Sequence, residues 1–158
     1  MNTADLVDRH PDAVSACQLQ FTWMGRKESF HGPIATVQCF EDNALLVQML
    51  SQPGHGRVMV VDGGGSLRTA LLGDVNAQRL IDNGWAGIII NGAVRDRILI
   101  DAMALGVCCL GSTPIKSGKT GSGLAEGSIT FGAVTFAPGK YAYADRDGIL
   151  ISATPLTA

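Results

Sequence analysis

Apolar positions are spaced unevenly along this chain, and the change in spacing marks its elements. Between residues 57 and 110, short unbroken apolar runs alternate with stretches of helical periodicity. Arg57 to Val61 is a run; Val75 to Asn83 has Ala77, Leu80 and Ile81 on one helical face; Ala86 to Ile90 is a second run; Asp96 to Leu105 is helical again; Val107 to Leu110 is a third run. Gly84 and Gly106 stand where the two helices should stop. Strand, helix, strand, helix, strand predicts a parallel segment joined by right-handed crossovers. Continuous rather than alternating apolarity predicts that both faces of these strands are covered.

The flanks read differently. Thr3 is placed to cap a short helix over Ala4 to Arg9 that Pro11 stops. Ile34 to Phe40 is a β-branched strand, and Asp42 or Asn43 opens an apolar helix through Leu45, Leu46, Met49 and Leu50, ended near Pro53-Gly54. After Pro114, Lys116 to Gly127 is rich in glycine, serine and lysine without periodicity, the composition of a mobile loop. Ile129 to Phe136 alternates, Pro138-Gly139 turns, and Tyr141 to Ala144 and Ile149 to Ile151 complete a β-rich tail. The expected architecture is one mixed α/β domain spanning residues 1–158, with a parallel βαβαβ centre and additional strands at both ends.

Composition narrows the classes. At 158 residues and 46% hydrophobic content the chain can bury a core without disulfides or a structural metal. A net charge of −2 with only 16% charged residues gives no basic field for nucleic acid or an anionic membrane surface. So few charges on so apolar a chain point to surface hidden in an oligomer. Cys17, Cys39, Cys108 and Cys109 lack any zinc-ligand spacing and read as small buried hydrophobes in a reducing compartment. With Asp5, Asp8 and His10 where a signal peptide needs apolar residues, the expectation is a soluble cytoplasmic protein.

Two segments carry candidate chemistry. Gly73-Asp74-Val75-Asn76 opens a helix after a glycine, so the free N–H groups of its first turn and the helix dipole suit a carboxylate or phosphate. Arg95-Asp96 follows an apolar strand at its carboxyl end, where ligands bind in open α/β sheets. There Arg95 can clamp a carboxylate or stabilise an enolate, and Asp96 can hold a hard divalent cation. The plainer alternatives are that Asp74 and Asp96 each cap a helix and that Arg95 is a surface side chain. Other signals are poorer. Asp62-Gly63-Gly64-Gly65-Ser66 lacks the lysine of a phosphate loop, and Gly118-Lys119-Thr120 lacks the first glycine and the helix of one. His10, His31 and His55 are scattered away from any nucleophile.

Cys39-Phe40-Glu41-Asp42-Asn43, the run from Gly56 to Arg68, Gly84-Trp85-Ala86-Gly87 and Gly92-Ala93-Val94-Arg95-Asp96 resemble the RraA-like family. So do Phe131-Gly132-Ala133-Val134, Pro138-Gly139 and the run from Tyr143 to Ile149. The resemblance implies a three-layer β/β/α fold and a homotrimeric ring with pockets between subunits, which can stack into hexamers. It implies one of two functions. The first is a class II aldolase dependent on Mg²⁺ or Mn²⁺ that cleaves 4-hydroxy-4-methyl-2-oxoglutarate to pyruvate and decarboxylates oxaloacetate. The alternative is a non-catalytic regulator that binds and inhibits ribonuclease E. In the first, Gly73, Asp74, Val75 and Asn76 bind the 2-oxo-acid substrate with Arg95, and Asp96 is the metal ligand. A metal-stabilised pyruvate enolate is the implied intermediate, with a metal-bound water as proton shuttle because no histidine or lysine is well placed in the sequence. Asp96 follows the arginine here, which favours catalysis. The chain is as short as the regulators and lacks the C-terminal extension that carries a further acidic group in the established aldolases, which weighs against cleavage of the larger substrate. A methyltransferase reading of the glycine-rich loops lacks an acidic residue placed as a ribose ligand.

Overall fold

Each central apolar run splits its side chains between two cores, and that split organises the molecule. The computed structural model describes residues 1–157, which form helices α1 (Thr3–Arg9), α2 (Ala44–Leu50), α3 (Asp74–Asp82) and α4 (Arg97–Asp101). Its strands are β1 (Val14–Ala16), β2 (Thr22–Met24), β3 (Ser29–Gln38), β4 (Val58–Asp62), β5 (Ala70–Leu72), β6 (Gly87–Val94), β7 (Val107–Ser112), β8 (Leu124–Ala125), β9 (Ile129–Phe131), β10 (Val134–Phe136), β11 (Tyr141–Asp145) and β12 (Ile149–Ser152). Met59, Val61, Ile88, Ile90, Val107 and Cys109 pack against Leu46 and Leu50 of α2, Ala77 and Leu80 of α3 and Ile100 of α4. Their neighbours Val58, Val60, Ile89 and Cys108 point the other way, onto Phe131, Val134, Phe136, Ala142 and Ile151. Side chains alternate along a strand, so an unbroken apolar run is what a sheet covered on both faces requires.

The large sheet runs β1-β12-β11-β3-β4-β6-β7-β2, with β5 paired to β6 and β8 to β3 off that path. Its centre is parallel from β3 through β4 and β6 to β7. Antiparallel strands close it on both sides: β11 on β3, and β2 on β7. The β9–β10 hairpin lies over the face opposite the helices. The result is the mixed α/β architecture with a helical layer on one face and β structure on the other.

Several local expectations change. Asn2, not Thr3, caps α1, its Oδ1 accepting from the Ala4 N–H at 2.8 Å. Thr3 is instead buried and donates its N–H and its hydroxyl to Asp145, each at 2.7 Å, tying the first helix to β11. The helix expected to reach Leu105 ends at Asp101, where the Ala102 and Met103 N–H groups turn back to the Leu99 and Ile100 carbonyls three residues earlier instead of continuing the i→i−4 ladder. Ile129 to Phe136 folds back at Gly132 and Ala133, both with φ near +60°. The Lys116 to Gly127 segment is pinned rather than loose: Gly118 bridges to Asp42, and β8 pairs with β3.

Candidate functional site

The two segments with candidate chemistry meet because short strand β5 lies parallel to the end of β6. Ala70 sits opposite Ala93 and Leu72 opposite Val94, and the Arg95 N–H donates to the Leu72 carbonyl at 2.9 Å. The loops leaving these two strands therefore start side by side. One becomes Gly73 and the first turn of α3; the other delivers Arg95 and Asp96.

Asp96 takes a left-handed backbone, φ 60° and ψ 41°, at the N-cap of α4, yet its side chain makes no capping bond there. Its carboxylate points across the gap instead. Oδ2 accepts from the Asp74 N–H at 3.2 Å and lies 3.8 Å from Arg95 Nε. The capping alternative for Asp96 therefore fails. Gly73 is fixed by the same close approach, since a Cβ on it would stand 2.8 Å from Asp96 Oδ2 and 3.5 Å from Arg95 Nε. Asp74 is the first helical residue of α3 rather than its cap. Its amide is taken by Asp96, leaving the Val75 and Asn76 N–H groups of that turn for a ligand. The Asn76 side chain turns along the helix, where Oδ1 accepts from Arg79 at 3.1 Å.

These groups line a cleft of about 150 Å³ together with Asn43, Ala70, Lys116, Ser117 and Lys119. Three cations, Arg95, Lys116 and Lys119, face two carboxylates, Asp74 and Asp96, so the cleft suits a small anion. Among the described residues, no three histidine, cysteine or acidic side chains converge as a metal cage. A single outward carboxylate still fits a hard divalent ion that keeps most of its water, which is how Mg²⁺ commonly binds.

The sequence profile of the RraA-like family, described as Aldolase/RraA, matches residues 3–151. The chain belongs to the RraA-like family. It is 52% identical over 155 residues to a Hahella chejuensis protein named "Putative 4-hydroxy-4-methyl-2-oxoglutarate aldolase", covering 98% of this chain and 94% of that protein. Its fold matches a Geobacillus kaustophilus structure named as an S-adenosylmethionine:2-dimethylmenaquinone methyltransferase, with TM-score 0.97, 47% identity and coverage of 99% and 97% of the two chains. It also matches the RNA-processing inhibitor RraA from Thermus thermophilis, with TM-score 0.95, 40% identity and coverage of 100% and 96%.

The third wall of this RraA-like cleft was not legible in the sequence. Lys116 and Lys119 come from the segment read as a loose loop, so lysines are present at the site after all. Asp42 holds that wall in place: its carboxylate accepts from Thr120 N–H at 2.6 Å, Thr120 Oγ1 at 2.7 Å, Gly121 N–H at 3.1 Å and Ala44 N–H at 3.2 Å. Burial pushes the Asp42 carboxyl up, but these bonds outweigh it and bring its pKa down to about 2. Asn43 donates to the Leu71 carbonyl at 3.1 Å and accepts from Lys119 Nζ, linking the wall to β5. Two lysines in a chain otherwise poor in charge were the available signal.

Other candidates stay away from the cleft. His31 stacks on Tyr143 and His55 occupies a turn at φ 54°. Burial, reinforced by Asp42 and Asp62, raises the Cys39 thiol to about 12, and burial raises Cys109 to about 11, so neither supplies a thiolate.

Proposed function

We propose that this chain is a divalent-metal-dependent lyase that cleaves 4-hydroxy-4-methyl-2-oxoglutarate to pyruvate and decarboxylates oxaloacetate. The observation that carries this reading is the Asp96 carboxylate, which leaves its own helix uncapped to stand between the α3 amides and Arg95. When bound, Mg²⁺ or Mn²⁺ would be held by Asp96 and water and would supply Lewis-acid polarisation of the 2-oxo acid. The Val75 and Asn76 N–H groups receive the substrate's C1 carboxylate at the positive end of α3. Arg95 orients that end and stabilises the enolate oxygen. In aldol cleavage the C4 hydroxyl gives up its proton to water in the cleft, the C3–C4 pair moves onto C3 to leave the pyruvate enolate, and C4 becomes the carbonyl of the departing pyruvate. In decarboxylation the same bond breaks and carbon dioxide leaves. Either way the remaining pyruvate enolate takes one proton at C3 from water in the open cleft.

The aldolase name of a relative at 52% identity supports this reading. The methyltransferase name does not carry over as well. A sulfonium would meet three cations here, and 150 Å³ is small against the roughly 300–1,000 Å³ usual for larger cofactors. The test is pyruvate release from both substrates with and without chelator. Release should stop with chelator and fall at least about 100-fold in Asp96→Ala; undiminished turnover by that variant would reject the assignment.

We also infer that the protein works as a homotrimer, as the family resemblance implies, and exposed apolar side chains after the carboxyl ends of the central strands support an association through that edge. A second functional reading rests on the likeness to the RNA-processing inhibitor: the chain binds ribonuclease E and inhibits it. An RNA-cleavage assay separates the two, since a lyase without this role leaves ribonuclease E unaffected at high protein excess.

A further inference from the structure

Lys116 differs from the other cations of the cleft in how it is held and in what it lacks. Its backbone bridges in parallel to Ala70. On one side the Ala70 N–H donates to the Ile115 carbonyl at 2.8 Å; on the other Ser117 Oγ donates to the Ala70 carbonyl at 2.5 Å. Both neighbours of Lys116 are thus fastened to β5, the strand that leads into Gly73, so its position relative to the α3 amides is set by the sheet. Lys119 is committed to Asn43 Oδ1, and Arg95 stands beside Asp96. Lys116 Nζ, among the described residues, has neither a carboxylate partner nor a hydrogen-bond acceptor, although it lines the same cleft. The sheet fixes the Lys116 backbone beside the cleft while its exposed side chain carries the ammonium on a flexible stem, and an ammonium without a counter-charge there can offer that charge to a ligand.

We propose that Lys116 is the specificity residue that binds the distal carboxylate of a 2-oxo dicarboxylate. This rests on the lyase reading above and adds which side chain recognises the far end of the substrate. With the C1 carboxylate at the start of α3 and the 2-oxo group beside Asp96, the opposite wall of the cleft belongs to the 116–119 segment. Lys116 then meets the C5 carboxylate of 4-hydroxy-4-methyl-2-oxoglutarate or the C4 carboxylate of oxaloacetate.

The two substrates respond differently to such a contact. In aldol cleavage the C5 carboxylate keeps its charge throughout, so Lys116 holds ground and transition states alike and its loss raises KM with little change in kcat. In decarboxylation the C4 carboxylate loses its charge as it departs as carbon dioxide. There Lys116 favours the substrate over the transition state, so its loss raises KM while kcat holds or rises. A merely structural lysine would lower kcat on both substrates together.

The experiment compares the wild-type protein with Lys116→Met and Lys116→Arg in Mg²⁺ buffer. Calorimetric titration uses 2-oxoglutarate as the dicarboxylate probe and oxalate as the compact probe that reaches only the Arg95 end, and steady-state kinetics uses both substrates. Loss of one charge-assisted bond should weaken 2-oxoglutarate about 10–100-fold in Lys116→Met and leave oxalate within about twofold, with Lys116→Arg close to wild type. KM for both substrates should rise in step, without a fall in the decarboxylation kcat. If the wild type binds and turns over as expected but Lys116→Met keeps its 2-oxoglutarate affinity within about twofold, the Lys116 assignment is overturned and the lyase reading survives. If the wild type binds neither probe and releases no pyruvate, the lyase reading fails and takes this one with it.

Discussion

Asp96 spends conformational energy without doing the local work its position offers. A left-handed backbone costs a non-glycine residue about 1–2 kcal/mol, and an aspartate at a helix N-cap ordinarily recovers stability by bonding the exposed amides. Here that bond is absent, and the carboxylate is aimed at Asp74 and Arg95. A left-handed residue whose carboxylate leaves its own helix for the neighbouring loop is what motivates the proposed role of Asp96. Gly73 is the companion constraint, because the space for a Cβ is taken by Asp96 Oδ2 at 2.8 Å. Gly73→Ala should therefore displace the carboxylate by several tenths of an ångström and lower kcat/KM for pyruvate release by about 100-fold. Stability should change by less than about 1 kcal/mol, since the Asp96 side chain is one-third exposed and can swing toward solvent. Kinetics beside urea denaturation check this, and full activity in the variant would show that the carboxylate's placement is not required.

At the level of elements, the site depends on pieces that only long-range contacts define. The parallel centre was legible because Val58 to Val61 and Ile88 to Ile90 are apolar at every position, which a strand covered on both faces demands. Gly73 to Asn76 and Arg95-Asp96 were legible as loop ends because each stands between an apolar segment and a helical period. Strand β5 was not: three residues after a glycine-rich loop show no period, and the strand exists through its bonds to β6 and Ile115. The lysine wall was hidden for the same reason, its order coming from Asp42, some 78 residues away in sequence from Thr120. That tie predicts a pH dependence. The folded Asp42 carboxyl titrates near 2 against its ordinary 3.8, so its contribution to stability is complete above 3.8 and is lost as pH falls through about 2. Asp42→Asn should be less stable at neutral pH by about 2–4 kcal/mol, having lost the charge from several bonds. It should also lose stability less steeply on acidification than the wild type. Urea denaturation from neutral pH down to about 2 checks both, and parallel acid limbs would show that Asp42 is not the group responsible.

Viewed as a whole molecule, the apolar surface is lopsided. Phe40, Leu67, Val75, Ile98, Leu99, Ile115 and Leu124 are all exposed, Ile98 by 87%. Phe40, Leu67, Ile98, Leu99 and Ile115 follow the carboxyl ends of β3, β4, β6 and β7, Val75 begins α3, and Leu124 pairs beside the end of β3. The edge of the sheet that carries the cleft is therefore also its stickiest edge. Isolated exposed apolar residues are ordinary, but several of them along one edge of the sheet mark a candidate contact surface. With a net charge of only −2, little electrostatic repulsion opposes association of identical chains through it. A homotrimer closed through this edge would cover Ile98 and bring a neighbouring subunit against the open side of the cleft. Ile98→Asp places a charge where that apolar contact is buried, so it should shift the protein from trimer to monomer at micromolar concentration while leaving the fold intact, Ile98 making no core contact of its own. Sedimentation velocity reads the assembly and circular dichroism the fold. Pyruvate release should fall with the trimer, because the Arg95 side of the cleft would open to bulk water and its electrostatic contacts would weaken. A wild-type protein that sediments as a monomer would remove the trimer, and a monomeric Ile98→Asp with full turnover would show that one chain completes the site alone.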